Sequence, residues 1–302
     1  MPRLNGGIGF SICAPSLKVQ VIPSDDFSVE DFRRRGMSDV GIGRLVEVLR
    51  KAKEKLGLNR AVAIEIHGEA NAHSGFGTGT AIRLAALEGL MHVNNHQASD
   101  DELIRLSGRG GTSGIGIHSY FTGGMIIDLG RKNDGCMLAP SSQLNGDIEL
   151  PLLLSRSPMP DWPIGLCIPE HIPSLNEDEE KEFFAETCPI PEDEVYRTMH
   201  WAIAGAFAAV REHNKAAFEE AIRQLQECAW KKAERTRHGE KIQELEERLY
   251  SLGASAVGMS SLGPSLFFLA PDIQAILPSM RKEITNCAFI EARPVNQGRL
   301  VS

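Results

Sequence analysis

The sequence predicts an α+β fold, and two observations predict it. In the first half an alternating apolar run, Ala61 to Ile66, gives way to a glycine-rich turn and then to a helical pattern. In the second half helical stretches alternate with short apolar strands, which suggests an α+β sandwich. At 302 residues the chain is long enough for two domains that each bury a core. The turn formers and prolines of residues 131–163 put the expected boundary near Pro151, dividing the chain into 1–150 and 151–302.

Taken in order, a glycine turn around Asn5-Gly-Gly-Ile-Gly9 leads into an apolar strand, and Leu17, Val19 and Val21 alternate in a second one. Ser28 to Leu56 reads as largely helical, with Leu45, Leu49, Ala52 and Leu56 at helical spacing. After the central strand, turn and helix, Ser99-Asp-Asp-Glu102 is a capping-box pattern for a short helix ending at Gly108. Phe121 to Asp128 reads as a turn entering a buried strand, and Trp162 to Ile168 as another buried strand. The acidic run Asn176 to Glu182 reads as a solvated helix start, because its carboxylates have no converging partners. Helical patterns follow over Glu194 to Ala233 and around Ile242, Leu245 and Leu249. A strand, turn and strand span Gly253 to Leu269, Pro278 to Lys282 falls in a short helix, and Ala288 to Asn296 closes the chain.

The stretch that suggests chemistry is His73-Ser-Gly-Phe-Gly-Thr-Gly-Thr80. Glycines let backbone come close to a ligand, and the unpaired amides of a first helical turn, with the helix dipole, favour an anion. Gly75, Phe76, Gly77, Thr78, Gly79 and Thr80 are therefore candidate phosphate binders, and the hydroxyls of Thr78 and Thr80 suit phosphate oxygens or Mg2+. Neither the P-loop nor the dinucleotide fingerprint is present, and such a turn would also serve simply to pack a helix on a sheet. Arg109 stands in a second glycine-rich stretch, Gly108 to His118, where a guanidinium suits a phosphate or carboxylate; an exposed arginine beside a turn is the bland alternative.

The net charge of −8, with no basic stripe, argues against nucleic acid as the main partner. No apolar run approaches the length of a membrane span. The six cysteines, Cys13, Cys136, Cys167, Cys188, Cys228 and Cys287, are scattered without Cys-x-x-Cys spacing. They read as reduced thiols of a cytoplasmic protein, and no zinc site is expected.

Three glycine-rich stretches in order, at Gly75–Thr80, Thr112-Ser-Gly114 and Gly253–Pro264, resemble the three motifs of the GHMP kinase superfamily. Within it the phrases Asn5–Gly9, His73–Thr80, Gly108–Gly116, Gly123–Asp128 and Ser260-Ser-Leu-Gly-Pro264 are most similar to the β-ribofuranosylaminobenzene 5′-phosphate synthase family of methanopterin biosynthesis. The resemblance implies an N-terminal domain of the ribosomal-protein-S5 type, a ferredoxin-like C-terminal domain, and a site in the cleft between them. It also implies a reaction in which phosphoribosyl pyrophosphate loses pyrophosphate, 4-aminobenzoate or 4-hydroxybenzoate attacks the anomeric carbon, and CO2 leaves.

In that site the amides of Gly75–Thr80 would cradle pyrophosphate with Mg2+, bound near Thr80 and, as a weaker candidate, Glu69. Arg109 would hold a phosphate or the benzoate carboxylate. Ser113 and Gly114 would face the substrate, and Ser260 and Ser261 would line the opposite wall. His73 would contact a phosphate or donate a proton, or else brace the turn, and Arg293 is expected at the surface. Superfamily members are often dimers, so a homodimer is a further expectation.

Two departures accompany the resemblance. Many superfamily kinases carry an aspartate two residues after the Ser-Gly of the second motif, as base for the attacked hydroxyl; here that position is Gly116. An ATP-dependent small-molecule kinase is thus the second expectation, and a non-catalytic nucleotide-binding relative the third. Family chains also usually begin with a further strand before the Asn5 turn, whose loss is expected to expose a sheet edge.

Overall fold

A computed structural model describes residues 3–72, 74–133, 135 and 149–302. The first half is built on two three-stranded sheets and one two-stranded sheet. Strands β1 (Arg3–Leu4) and β2 (Gly7–Phe10) are followed by β3 (Leu17–Ser24), β4 (Ser28–Asp31), helix α1 (Asp39–Leu56) and β5 (Ala61–Gly68). β5 is central to one sheet, antiparallel to β3 with Val21 opposite Ile64, and parallel to β4 with Val29 opposite the same residue. Residues 28–31 are therefore strand rather than the start of the expected helix. Tertiary pairing wins there over local propensity, and Ser38 caps α1 by accepting from the Gly41 amide.

Helices α2 (Thr78–Val93), α3 (Asp100–Ser107) and α4 (Ile115–Thr122) cover this sheet. Val62, Ile64 and Ile66 of β5 share a core with Leu45 and Leu49 of α1 and with Ile82, Leu84, Leu87 and Leu90 of α2. Close packing has a specific device: a Cβ at Gly89 would lie 2.7 Å from Val21 Cβ, so glycine lets α2 rest directly on β3. Helix α3 has the expected limits, with Ser99 accepting from the Glu102 amide and Gly108 in the left-handed conformation after its end. Strands β6 (Met125–Asp128), β7 (Arg131–Lys132) and β8 (Leu153–Ser157) complete this half; β2, β6 and β8 form a second sheet and β7 pairs with β1.

The second half runs β9 (Ile164–Pro169), α5 (Glu177–Thr187), α6 (Glu192–His200), a π-helical turn (Trp201–Phe207), α7 (Ala208–Arg211), α8 (Lys215–Gln226), α9 (Ala229–His238), α10 (Glu240–Ser251), β10 (Ala256–Met259), β11 (Leu266–Leu269), α11 (Ile273–Glu283) and β12 (Cys287–Ala292). The strands form one antiparallel sheet in the order β10-β11-β9-β12. With helical segments between β9 and β10 and between β11 and β12, this is the split β-α-β arrangement of a ferredoxin-like domain.

Each face of that sheet has its own core. Ile242, Leu245 and Leu249 of α10 and Leu277 and Met280 of α11 pack with Val257 and Phe268. On the other face Phe218, Ile222 and Leu225 of α8 pack with Ile164, Leu166 and Leu269. That second cluster also takes in Met125 of β6, Ile8 and Phe10 of β2, and Phe76. It joins the halves and ties the glycine-rich turn to the second one. Among the described residues no helix is long and apolar enough to cross a membrane. Cys13, Cys167, Cys188, Cys228 and Cys287 are free thiols, while Cys136 lies outside the described residues.

Candidate active site

The strand β5 delivers the chain to a bend, and α2 starts directly after it. Gly75 and Gly77 have φ of +85° and +69°, values natural to glycine alone. Ser74 Oγ donates to Asn71 O at 2.8 Å and bridges the bend. Gly77 is the N-terminal cap of α2 and no side chain caps the helix, so the first-turn amides of Thr78 and Gly79 are left without intrahelical acceptors. A Cβ at Gly77 would meet nothing within 4 Å, so this backbone faces open space. It opens on a cleft of about 2300 Å3 between the two halves.

Arg109 lies at the same helix end. Its Nε donates to Thr80 Oγ1 at 3.0 Å, and its Nη2 lies 3.6 Å from where a Cβ of Gly79 would be. A fixed guanidinium thus sits beside the positive end of the α2 dipole, which makes this corner of the cleft suited to an anion. Gly116, at the start of α4, packs against the same threonine: a Cβ there would be 3.3 Å from Thr80 Cβ and 3.4 Å from its Oγ1. Glycine at this position thus lets α4 start in close contact with the threonine that holds Arg109.

The second motif is held from below by Asp128, which is 2 % exposed. Its Oδ2 accepts from the Gly114 amide at 2.5 Å and its Oδ1 from the Gly130 amide at 2.7 Å. Burial pushes the Asp128 carboxyl up, and the two amides and nearby His118 only partly offset it. The same burial pushes His118 down, against the pull of the Asp128 charge. Ser113 Oγ accepts from the Ile115 amide at 3.2 Å and starts α4. Asn5, at φ +61°, donates from Nδ2 to Gly111 O at 3.2 Å and so links the first glycine turn to the second motif.

The third motif closes the opposite wall. Ser260 Oγ donates to Gly75 O at 2.9 Å, a direct tie between the halves. A Cβ at Gly75 would lie 3.1 Å from the Ser260 carbonyl carbon and closer still to its oxygen, so the two backbones are in contact. Further along, Phe184, Val195, Met199, Ile203 and Trp230 give the cleft an apolar wall.

Of the residues singled out in the sequence, Gly75 to Thr78, Thr80, Arg109, Ser113, Ser260 and Ser261 line this cleft, whereas Gly79 lies behind the Arg109 guanidinium and Gly114 is buried over Asp128. Phe76 stands apart from the other loop residues, because its ring packs into the shared core. His73 lies outside the described residues. Glu69 is exposed just beyond β5 and does not line the cleft. No group of three His, Cys, Asp or Glu side chains among the described residues is disposed to hold a metal ion. The Thr80 hydroxyl, the other expected ligand, already accepts from a guanidinium that would repel a dication. These residues do not fit a metal site of the protein's own.

Sequence reasoning missed Asp128, although its motif was singled out, because nothing in Gly123–Asp128 says which way the carboxylate turns. It also missed Lys231 and Glu234, which line the cleft from α9 and read in the sequence as ordinary helix charges.

Residues 43–124 match the GHMP kinases N terminal domain and residues 206–284 the GHMP kinases C terminal domain. The chain is 30% identical over 269 residues to the β-ribofuranosylphenol 5′-phosphate synthase of Methanothermobacter thermautotrophicus, spanning 88% of this chain and 81% of that protein. It is also 30% identical over 278 residues to the enzyme of the same name from Methanocaldococcus jannaschii, spanning 88% and 82%. Among solved structures, homoserine kinase from Cytophaga hutchinsonii superposes with a TM-score of 0.68 at 16% identity, over 96% of this chain and 90% of that one. Mevalonate kinase of L. major, in complex with R-mevalonate, gives 0.65 at 12% identity, over 98% and 92%. At those identities the structures speak for the fold alone. From the sequence relatives and the two matched domains together, the chain belongs to the β-ribofuranosylphenol 5′-phosphate synthase family, a family of enzymes on the GHMP kinase fold.

Proposed function

We propose that this chain transfers phosphoribose from phosphoribosyl pyrophosphate to the ring carbon of 4-hydroxybenzoate that bears the carboxylate, releasing pyrophosphate and CO2. The observation that carries the reading is the guanidinium of Arg109 fixed by Thr80 at the uncapped start of α2. The relatives' name, which ends in a phenol, favours the hydroxy over the amino acid as acceptor. A kinase reading is weakened by Gly116, packed where a base would stand.

In this reading the amides of Gly77 to Gly79 and Arg109 hold the diphosphate as it leaves, stabilising negative charge in a site that need not reorganise. The anomeric carbon gains oxocarbenium character; the ring carbon attacks; the bond to the carboxylate then breaks, its electron pair restores aromaticity, and CO2 leaves. The wall of Phe184, Met199 and Trp230 suits the aromatic ring and keeps water from the cation. Ser113 and Ser261 line the substrate space, Gly114 acts from behind through its bond to Asp128, and His73 is a phosphate contact or proton donor. We assign Mg2+ to the substrate, as counter-ion of its diphosphate, and rest nothing on Glu69. The division of the chain into units 1–150 and 151–302, and a cytoplasmic setting, belong to the same proposal.

Incubation with phosphoribosyl pyrophosphate, 4-hydroxybenzoate and Mg2+ tests it. Pyrophosphate and CO2 in equal amounts are expected. ATP consumption with an alcohol acceptor, and neither product from the first mixture, would support the kinase instead.

A further inference from the structure

The turn that grips the glycine bend is itself held in place. Strand β10 ends at Met259, and the chain then folds back through Ser260 to Ser265, with the Ser260 amide donating to Ser265 O at 3.0 Å. Ser261 sits at φ +51°, a left-handed conformation that a non-glycine residue holds only where neighbours impose it. Here the neighbours come from α8 and α9. Lys231 Nζ donates to Met259 O at 2.9 Å, to Ser261 O at 3.1 Å and to Glu234 Oε2 at 2.5 Å, so all three ammonium protons are used. Glu234, only 3 % exposed, also accepts from Trp230 Nε1 at 2.5 Å. Gln226 Oε1 accepts from the Met259 amide at 3.2 Å, and His238 Nε2 lies 2.6 Å from Leu262 O.

One ammonium therefore fixes the carbonyls on both sides of Ser260, and Ser260 Oγ in turn fixes the carbonyl of Gly75. A trans peptide is planar, so a fixed Gly75 carbonyl directs the Phe76 N–H the opposite way and sets the start of the amide row at the bend. The Lys231 ammonium is paired with Glu234 at 2.5 Å, and its three protons are all spent on protein acceptors rather than on a ligand.

We propose that Lys231, oriented by Glu234, is a positioning residue for the diphosphate subsite, acting through Ser260 on the backbone of Gly75. The inference rests on the reading of Gly75–Thr80 as the seat of a diphosphate.

The test is calorimetric titration of inorganic pyrophosphate into the wild type, K231M, K231R, S260A and K231M/S260A. Each of K231M and S260A is expected to weaken binding about tenfold. The double variant should lose little more than either single one, because both cut the same chain of contacts. K231R, which can bridge two carbonyls and a carboxylate, should recover most of the affinity. The salt dependence of binding should match the wild type in S260A, K231R and the pair K231M/E234Q, which leave the net charge of the cleft wall unchanged. If K231M does not fold because Glu234 is left unpaired, the charge-free pair K231M/E234Q carries the same comparison. Unchanged affinity in the lysine variant, or losses that multiply to about a hundredfold in the double variant, would overturn the inference while leaving the cradle intact. A wild type that does not bind pyrophosphate would overturn the cradle reading and this one together.

Discussion

Gly75→Ala and Gly77→Ala form a matched pair, because the two glycines have similar left-handed backbones in different surroundings. At either position the added methyl forces a non-glycine residue into that conformation, at roughly 1–2 kcal/mol, and the loss of chain freedom in the unfolded state is the same for both. At Gly77 nothing lies within 4 Å of the new Cβ. At Gly75 the methyl would enter the Ser260 carbonyl, a backbone group that cannot swing aside. Relieving that overlap is worth about 1–3 kcal/mol, and the Ser260 Oγ to Gly75 O bond that breaks when the walls part adds about 0.5–1.5 kcal/mol. The shared strain cancels in the comparison, so Gly75→Ala should be less stable than Gly77→Ala by about 1.5–4.5 kcal/mol, or roughly 3–18 °C in melting temperature at about 2–4 °C per kcal/mol. Thermal unfolding of both variants without ligand, followed by circular dichroism, reads the difference. Melting temperatures within about 2 °C of each other would refute the claim that the bend is clamped against the third motif.

Other perturbations address the site and its supports. Gly77→Val should melt below Gly77→Ala, because a β-branched residue is less tolerated still at φ +69°, and it should lose measurable pyrophosphate binding because its methyls occupy the open side of the bend; calorimetry on the folded variant that finds wild-type affinity would count against the cradle. Arg109→Met should weaken pyrophosphate binding by roughly 10- to 100-fold, the worth of a hydrogen bond to a charged group. Arg109→Lys should recover little of it, since an ammonium cannot both reach Thr80 and present a fork; full activity in the lysine variant would contradict the assigned geometry. Burial pushes Glu88 up, but hydrogen bonds from Arg299 and Tyr120 and the Arg299 charge more than offset it and hold the carboxyl below its ordinary 4.5. A depressed carboxylate contributes stability above its unfolded pKa and loses it as the pH falls through the folded value. Arg299→Met should therefore melt lower than the wild type at neutral pH and converge with it as the pH falls below the carboxyl's ordinary 4.5; a gap that stays constant on that acidification would exclude the ion pair as its source.

The order of the elements was legible because each carries its own local signal. Ser99 and Gly108 mark both ends of α3, and the apolar spacing of Ile242, Leu245 and Leu249 marks α10. What the sequence hid depends on partners far along the chain. Residues 28–31 are charged enough to read as helix and become a strand only because β5 offers its free edge. The short helix α4 was lost in a glycine-rich stretch, where Gly116 looks like a turn but serves to bring α4 against Thr80. In the site, the glycines and Arg109 could be named because their residue types suit an anion. Asp128 and Lys231 could not, because they act on backbone amides and carbonyls, which carry no mark in a sequence.

The most direct measurement is a structure of the protein with inorganic pyrophosphate or phosphoribosyl pyrophosphate bound. The expected result is a diphosphate seated on the amides of Gly77 to Gly79 with Arg109 at hydrogen-bond distance, about 2.7–2.9 Å. A diphosphate bound elsewhere in the cleft, with that bend bare or filled by its own side chains, would contradict it.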